Sequence, residues 1–464
     1  MNILYIGSGF VGASSAAVSA DSGHETLVYD IDYKKIEMLS SGDRDTIQSC
    51  LFEEGLGELI VRNKERLKFT TDYQKVKDFL NSCDAVFMCL PTPEIDETGE
   101  SDLSFYFSAA EKLARALIKR NSETQEKYIV IVNKSTVPID MINCTAQIME
   151  KSGVKNYGVA GNPEFLVEGK AIEGSLRPAR IVIGAWDEKD FKIMREIYQR
   201  FYAAPNVQYI EVNPQEAAAG KLLANFTLFN KLAICFDVLG RTCEAFDNLK
   251  FENIRKILTA DPRIGKWGLY DSLYAGGSCF IKDARSLSYQ LRAVDQNAIL
   301  VDKTYLANKR QLENFIDRAR KDANFDWANK TVAVLGLAFK RDTNDIRNSP
   351  SIDIVNFLLE REVKEIKLFD PAAMESFQKM FPESEKITYF KNEENAIVGA
   401  DAVIIAADWP LFRGLGDKLL TIFQDKKPLL MDGRRMLEHH LDALQKAGFD
   451  VIMVGSPFLK GVDN

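Results

Sequence analysis

Histidine is scarce in this chain: only three of its 464 residues are histidine, and two of these, His439 and His440, are adjacent. No HxxxH or HExxH spacing occurs, so the sequence predicts no histidine-based metal site. Acid–base chemistry is therefore expected to fall to lysine, aspartate or glutamate. The seven cysteines are widely spaced and include no CxxC pair, which favours free thiols in a reducing cytosol over a disulfide framework.

Long apolar runs and an excess of positive charge are also absent. No uninterrupted apolar run reaches the roughly 18 residues that a membrane-spanning helix needs. The first residues, MNILYIGSGFVG, lack a basic region and are soon broken by glycine, which argues against a signal peptide. The net charge of −8 argues against nucleic acid as the main partner. We therefore expect a cytoplasmic protein that binds neither membranes nor nucleic acid.

Strand and helix patterns alternate at both ends of the chain, whereas the middle is helical in pattern. This arrangement predicts an α/β fold with two Rossmann-like doubly wound domains, residues 1–212 and 323–464, joined by a helical central domain, residues 213–322. The expected strands are 2–6, 25–29, 84–90, 128–133, 157–160, 180–184, 331–335, 365–369 and 401–405.

The first strand opens onto a glycine-rich turn, GSGFVG, at residues 7–12. A helix pattern follows, then a second strand that ends in Asp30, eighteen residues beyond Gly12. In this context Gly7, Gly9 and Gly12 let the backbone approach a pyrophosphate at a helix N-terminus. An acid at Asp30 suits the ribose hydroxyls and repels a 2′-phosphate, so NAD is favoured over NADP. The alternative is a tight turn without a ligand.

The second glycine turn, Gly336 to Arg341, departs from this pattern because Arg341 stands where the third glycine would be. Close packing over a dinucleotide is therefore disfavoured. Lys340 and Arg341 instead supply positive charge, so we expect a nucleotide diphosphate other than NAD here. A purely structural α/β domain is the alternative.

Cys279 lies in the segment GGSCFIKD, residues 276–283. The pattern predicts that Ser278 caps a helix and that Cys279 lies in its first turn, where a thiolate nucleophile is favoured. Lys282 adds positive charge, and Asp283 is four residues on, on the same helix face. This pairing suits a thioester that is formed and then hydrolysed. A small core cysteine is the alternative.

Three further segments carry candidate polar groups. Lys221 and Asn225 are four residues apart on a predicted helix and suit a general base or the stabilisation of an oxyanion. The segments 134–138 (KSTVP) and 162–169 (NPEFLVEG) follow predicted strands and are expected to line the ligand crevice. A surface Lys–Asn pair and two solvated loops are the alternatives.

Eight motifs occur in one order along the chain: GSGFVG, STVP, NPEFLVEG, the Lys221/Asn225 pair, DPRIG, GGSCFIKD, GLAFKRDTNDIRNSP and DGRR. This series resembles the UDP-glucose/GDP-mannose dehydrogenase family nearly end to end. The resemblance implies an NAD-dependent four-electron oxidation of UDP-glucose at C6 to UDP-glucuronate, in a homodimer or larger homo-oligomer. It also implies that Cys279 forms a thiohemiacetal and then a thioester.

The resemblance assigns further residues by motif position. The implied catalytic groups are Cys279, Lys221, Asn225, Asp283, Thr136 and Glu168. The implied NAD-binding residues are Gly7, Gly9, Phe10, Val11, Gly12, Asp30, Lys35, Thr92, Thr136, Glu168, Lys282 and Arg347. The implied substrate-binding residues are Glu164, Phe165, Leu166, Glu168, Lys221, Asn225, Arg263, Gly276, Lys340 and Arg434, with Arg263 acting from a neighbouring subunit.

Some positions depart from the family pattern, among them Asp140, Ala275 and Ile281, and Ala275 lies in the expected substrate loop. Three rival hypotheses remain. A sister dehydrogenase would act on GDP-mannose or a UDP-N-acetylhexosamine. A one-step hydroxy-acid dehydrogenase would need no cysteine nucleophile. A non-catalytic nucleotide-sugar sensor would not need the set of Cys279, Lys221, Asn225 and Asp283.

Overall fold

The computed structural model describes residues 1–123 and 127–462, which form two compact units. Unit 1 comprises Met1–Ala224 and Tyr289–Gln296, and unit 2 comprises Asn225–Ser288 and Asn297–Asn464. Each unit is built on one sheet, as expected for two doubly wound α/β folds.

The sheet of unit 1 has eight strands in the order β3-β2-β1-β4-β5-β6-β7-β8. The strands are β1 Asn2–Ile6, β2 Glu25–Tyr29, β3 Leu67–Thr70, β4 Ala85–Met88, β5 Ile129–Asn133, β6 Tyr157–Gly161, β7 Arg180–Gly184 and β8 Gln208–Val212. All neighbours pair in parallel except β6 and β7, which meet antiparallel at Gly161 and Gly184. The sequence patterns had indicated neither β3, nor β8, nor this reversal.

The helices of unit 1 cover both faces of this sheet. Up to β8 they are α1 Phe10–Asp21, α2 Tyr33–Leu39, α3 Arg44–Leu51, α4 Leu56–Arg62, α5 Tyr73–Leu80, α6 Ser104–Glu123, α7 Met141–Lys151, α8 Ala171–Leu176, α9 Glu188–Ile197 and α10 Gln199–Tyr202. Along β1, Ile3 and Tyr5 enter one buried cluster while Leu4 and Ile6 enter the other. A strand buried on both faces reads as a continuous apolar run, which is why the sequence predicted β1 correctly.

Helices dominate the middle of the chain. They are α11 Pro214–Ala233, a π-helical segment Ile234–Gly240, α12 Arg241–Ala245, α13 Phe251–Thr259, α14 Phe280–Ala293 and α15 Ile299–Lys321. Among the described residues, one stretch, Pro214–Ala245, is long and apolar enough by length and composition to cross a bilayer, although the sequence contains no uninterrupted apolar run of that length. This is weak evidence for a membrane span, because core helices of soluble proteins meet the same criteria and 44% of this window is buried.

The sheet of unit 2 has six parallel strands in the order β11-β10-β9-β12-β13-β14. The strands are β9 Thr331–Leu335, β10 Glu365–Phe369, β11 Ile387–Tyr389, β12 Ala402–Ile405, β13 Leu429–Asp432 and β14 Val451–Met453. The helices after β9 are α16 Pro350–Glu360, α17 Met374–Met380, α18 Glu393–Ile397, α19 Leu415–Ile422 and α20 Leu441–Lys446, with 3-10 turns at Pro410–Gly414 and Glu438–His440.

Candidate active site

The carboxyl edge of the unit 1 sheet collects three of the predicted segments and the predicted NAD-binding residue Thr92. Residues 7–12 follow β1, residues 90–92 follow β4, residues 134–138 follow β5 and residues 162–169 follow β6. Helices leave β1 and β4 on opposite sides, so the strand order reverses between these two neighbours. Ligands of open parallel sheets bind at such a point, which makes this edge the candidate cofactor site.

The first glycine turn has the geometry that a bound pyrophosphate requires. Gly7 has a φ of +101°, and a Cβ there would lie 2.1 Å from the Cys89 carbonyl oxygen. A Cβ on Gly12 would lie 2.0 Å from the carbonyl oxygen of Gly7, whereas a Cβ on Gly9 would meet nothing within 4 Å. Gly9 is the N-cap of α1, so the unpaired N–H groups of the first turn face open space beside it. Phe10 and Val11, half-buried, form that turn.

Asp30 ends β2 next to this turn, as predicted. Its Oδ2 accepts the backbone N–H and the hydroxyl of Ser8, both at 2.7 Å, and its Oδ1 accepts the N–H of Asp32 at 3.0 Å. Burial raises the pKa of Asp30, but these hydrogen bonds and Lys35, 3.9 Å away, outweigh it and leave the pKa below its usual value. The group is therefore ionised and partly exposed, which fits a ribose diol of NAD.

Lys221 and Glu164 form a buried ion pair in unit 1. Lys221 Nζ lies 3.0 Å from Glu164 Oε1, and the two side chains are 4% and 7% exposed. The second carboxylate oxygen accepts the N–H of Leu166 at 2.5 Å. Lys221 Nζ also lies 5.2 Å from the centre of the Phe165 ring, against which Arg180 packs at 3.7 Å. Lys221 is thus a buried, oriented amine rather than part of a surface pair.

A second buried lysine adjoins this pair, and the sequence reasoning did not single it out. Lys134 Nζ donates to Asn162 Oδ1 at 2.9 Å; the same oxygen accepts the Tyr198 hydroxyl at 2.5 Å. Burial, helped by the nearby charge of Lys221, lowers the pKa of Lys134 to about 8. Its place in the sequence could have indicated Lys134 as a site residue, because Lys134 directly precedes Ser135 in the STVP motif.

Thr136 and Lys221 line one cavity that is partly open to solvent, together with Pro163 and Ala218. Thr92 is anchored beside it, because its hydroxyl donates to the Thr136 carbonyl at 2.8 Å. The structure therefore brings Thr136, Thr92 and Lys221 together. Glu168 is half-buried on the loop after β6, and it is not among the described residues that line this cavity.

Unit 2 carries the second part of the candidate chemistry, around Asp283. This carboxylate is 1% exposed; its Oδ2 accepts Asn225 Nδ2 at 2.6 Å and its Oδ1 lies 2.5 Å from Lys282 Nζ. The N–H of Asp283 donates to the Cys279 carbonyl at 2.9 Å, the first backbone bond of α14. The predicted one-turn spacing of Cys279 and Asp283 is therefore present.

The prediction that Ser278 caps the helix, with Cys279 in its first turn, is wrong by one residue. Because α14 begins at Phe280, Cys279 itself occupies the position before the first helical residue. Its thiol is half-buried, not fully buried like that of a core cysteine, and the Ser278 hydroxyl lies 3.8 Å from Sγ. The N-terminal peptide dipoles of α14 still favour negative charge at this position.

The glycines before Cys279 are held against the loop after β9. A Cβ on Gly276 would lie 2.3 Å from the Asn348 carbonyl oxygen, so no larger residue fits there. The Gly277 N–H donates to the Arg347 carbonyl at 3.0 Å, and Asn348 Nδ2 donates to the Gly277 carbonyl at 3.1 Å. The Arg347 guanidinium itself pairs with Asp345 at 2.7 Å.

The acid that ends the strand beside the second glycine turn is not available to a ribose. Asp370, at the end of β10, is 1% exposed. Its Oδ2 accepts the N–H groups of Leu337 and Ala338 and the Trp409 indole at 2.7–3.1 Å. Its Oδ1 accepts two more N–H groups, at 2.7 and 2.8 Å. Five donors saturate this carboxylate, which supports the prediction that unit 2 binds something other than NAD.

Cationic side chains gather where the unit 2 strand order reverses, between β9 and β12. Arg434 follows β13 and donates to Asp408 at 2.6 Å and to the Ser272 hydroxyl at 2.5 Å. Lys340 follows β9 and lies near the Phe339 ring, 5.6 Å from its centre. Arg263, by contrast, is exposed and pairs with Asp261 at 2.6 Å.

Comparisons with known proteins agree with this geometry. The chain matches three family models, described as the NAD binding, central and UDP binding domains of the UDP-glucose/GDP-mannose dehydrogenase family, over residues 1–202, 215–310 and 333–439. A UDP-glucose 6-dehydrogenase of Haloferax volcanii is 32% identical, across 94% of this chain and 97% of the relative. Another from Bacillus subtilis is 30% identical, across 99% and 94%.

Solved structures show the same fold. A UDP-glucose dehydrogenase of Pyrobaculum islandicum superposes with a TM-score of 0.82 at 28% identity, covering 93% of this chain and 94% of that one. A UDP-D-ManNAc dehydrogenase of Pyrococcus horikoshii superposes at 0.78 with 23% identity, covering 98% and 99%. The second similarity concerns the fold alone.

Proposed function

The chain belongs to the UDP-glucose/GDP-mannose dehydrogenase family, and on that premise we propose that it oxidises UDP-glucose at C6 to UDP-glucuronate. It is an NAD-dependent oxidoreductase with a UDP-sugar as substrate. The choice of glucose follows the named relatives. The observation that carries the mechanism is the cluster at the start of α14, where Cys279 precedes a buried Asp283 held by Asn225 and Lys282.

In the first half of the reaction, Lys221 receives the proton of the C6 hydroxyl. NAD, when bound, accepts one hydride in each of the two oxidations. The support for Lys221 is its burial, its orientation by Glu164 and its place beside Thr136 in the same cavity.

In the second half, the Cys279 thiolate adds to the aldehyde carbon and gives a thiohemiacetal in its oxyanion form. Loss of hydride from C6 converts this adduct into a thioester. Water then attacks the thioester and gives up one proton to a base; Cys279 leaves as the thiolate, and the carboxylic acid loses the second proton to solvent. Asp283 and Thr136 orient that water, and Glu168 is a candidate base. Lys221 and Asn225 stabilise the oxyanions. Covalent attachment keeps the aldehyde in the site between the two oxidations.

Counting NADH per nucleotide sugar tests this proposal. The protein is incubated with NAD and, separately, with UDP-glucose, GDP-mannose and two UDP-N-acetylhexosamines. Two NADH and one carboxylate per UDP-glucose are expected, with the other sugars slower. Preference for a UDP-N-acetylhexosamine or GDP-mannose would replace glucose as the substrate and leave the mechanism intact. One NADH with a released aldehyde or ketone would contradict the thioester route.

Replacing the nucleophile gives a second test. In Cys279→Ser an ester would replace the thioester and hydrolyse slowly, so mass spectrometry should find a covalent sugar-nucleotide adduct. Cys144→Ser is the matched control, since Cys144 is a half-buried cysteine like Cys279. Turnover of Cys279→Ser at the wild-type rate would exclude Cys279 as the nucleophile.

We also propose that the chain self-associates in the cytoplasm through its helical middle segment, residues 213–322. Ile234 and Val238, one turn apart, and Phe246, just after α12, are 47–63% exposed. An apolar face of this kind is costly in water and favours an interface between subunits. Light scattering should therefore give a mass of at least twice 52.2 kDa.

A further inference from the structure

Asp408 joins two guanidinium groups in unit 2. Its Oδ1 accepts Arg434 Nη2 at 2.6 Å and the backbone N–H of Arg341 at 3.3 Å, and its Oδ2 lies 3.7 Å from Arg341 Nε. Burial raises the pKa of Asp408, but Arg434 and Arg341 outweigh it and keep the pKa below its usual value. The carboxylate is thus ionised and serves both arginines.

These three residues follow three neighbouring strands at one edge of the sheet. Arg341 follows β9, Asp408 follows β12 and Arg434 follows β13. The strand order reverses between β9 and β12, so the cluster lies where an open parallel sheet binds its ligand.

The arrangement leaves donors for an anion. Among the described residues, the Arg341 guanidinium makes no hydrogen bond, and its closest approaches to carboxylates are those of Nε, 3.5 Å from Asp342 and 3.7 Å from Asp408. Its side chain is 42% exposed, while that of Arg434 is 12% exposed and tied to Ser272. A guanidinium presents five donors in a plane, and paired guanidiniums match the oxygens of a diphosphate.

We propose that Arg341 is a second guanidinium of the diphosphate-binding site, held beside Arg434 by the carboxylate that both share. The ligand class is a nucleoside diphosphate, and Arg341 contributes to affinity rather than to the chemical step. This inference rests on the proposed function, in which unit 2 receives the sugar nucleotide.

Binding of UDP to the full-length protein tests the inference, by calorimetry on the wild type, Arg341→Gln and Arg341→Lys. Losing a charge-assisted contact should weaken UDP binding about tenfold in Arg341→Gln. Arg341→Lys, which keeps the positive charge, should lose less of the UDP affinity. Arg361→Gln is the matched control, because Arg361 is an exposed arginine at the end of α16, before the amino end of β10.

Steady-state kinetics distinguish a role of Arg341 in substrate binding from a purely structural role. Arg341→Gln should raise KM for the UDP-sugar about tenfold with kcat nearly unchanged, and NAD affinity should stay at the wild-type value. Wild-type UDP affinity in Arg341→Gln would overturn this inference but not the proposed function. A wild-type protein without measurable affinity for UDP would instead overturn the proposed function. Equal weakening of UDP and NAD binding would assign Arg341 to folding and also overturn the inference.

Discussion

Replacing Glu53 with glutamine tests how the loop of residues 162–169 is held. Glu53 is fully buried, and its two oxygens accept the N–H groups of Gly169 and Ala171, each at 2.8 Å. Hydrogen bonds to a charged group contribute about 1.5–3 kcal/mol each. Glutamine keeps one acceptor oxygen, loses the charge and turns an NH2 group toward the other N–H. We expect the loop to lose about 2–4 kcal/mol of local stability.

Hydrogen exchange measures this loss directly. A local destabilisation of about 2–4 kcal/mol should speed exchange of the Gly169 and Ala171 amides by about 30-fold to 900-fold, where exchange proceeds by local opening. Turnover should fall as well, because Glu164 on this loop orients Lys221. Glu54→Gln is the matched control: Glu54 is adjacent and exposed. Unchanged protection in Glu53→Gln, or equal loss in Glu54→Gln, would refute the reasoning.

Three further predictions concern buried or cofactor-facing charges. Burial raises the pKa of Asp190 to about 6; the folded state therefore binds an extra proton between about pH 4 and 6, and stability falls as the pH rises through this window. Asp190→Asn, which still accepts the Tyr128 hydroxyl, should raise the unfolding temperature at pH 7 but not at pH 3.5. Burial lowers the pKa of Lys134 from its usual 10.5 to about 8, so the folded state binds fewer protons than the unfolded chain between about pH 8 and 10.5 and stability rises with pH through this window. Lys134→Met should therefore flatten that rise in the unfolding temperature. Asp30→Ala should raise KM for NAD by about tenfold or more in steady-state kinetics, with kcat less affected, because two ribose hydrogen bonds are lost.

Much of the fold was predictable from local sequence patterns. The buried strand β1 and the turn after it were predictable because an apolar run and spaced glycines each have one local cause. The antiparallel meeting of β6 and β7 was not predictable in this way, because it depends on how the loop after β6 returns to the sheet. The helix start at Phe280 differed from the pattern by one residue, which is the ordinary uncertainty of helix ends.

The site was predictable where residues lie close along the chain and less so where the fold brings them together. Cys279 lies just before α14 and Asp283 lies in its first turn, while Lys221 and Asn225 share α11, so their spacing indicated their chemistry. Lys134 contacts Asn162 across 28 residues, and Glu53 holds Gly169 across 116. A pattern within one segment does not indicate such contacts. Burial, which makes a charge costly unless it is paired, is a property of the folded chain.

Asp30 and Asp370 show why similar patterns can serve different ligands. Both carboxylates end the second strand of a doubly wound sheet and face a glycine turn. Asp30 accepts three hydrogen bonds and its side chain is 14% exposed, so lone pairs remain for a ribose diol. Asp370 accepts five and is 1% exposed, so it fixes the turn itself. With that acid occupied, the ligand of unit 2 must be recognised elsewhere, and the arginines around Asp408 supply the positive charge that a diphosphate requires.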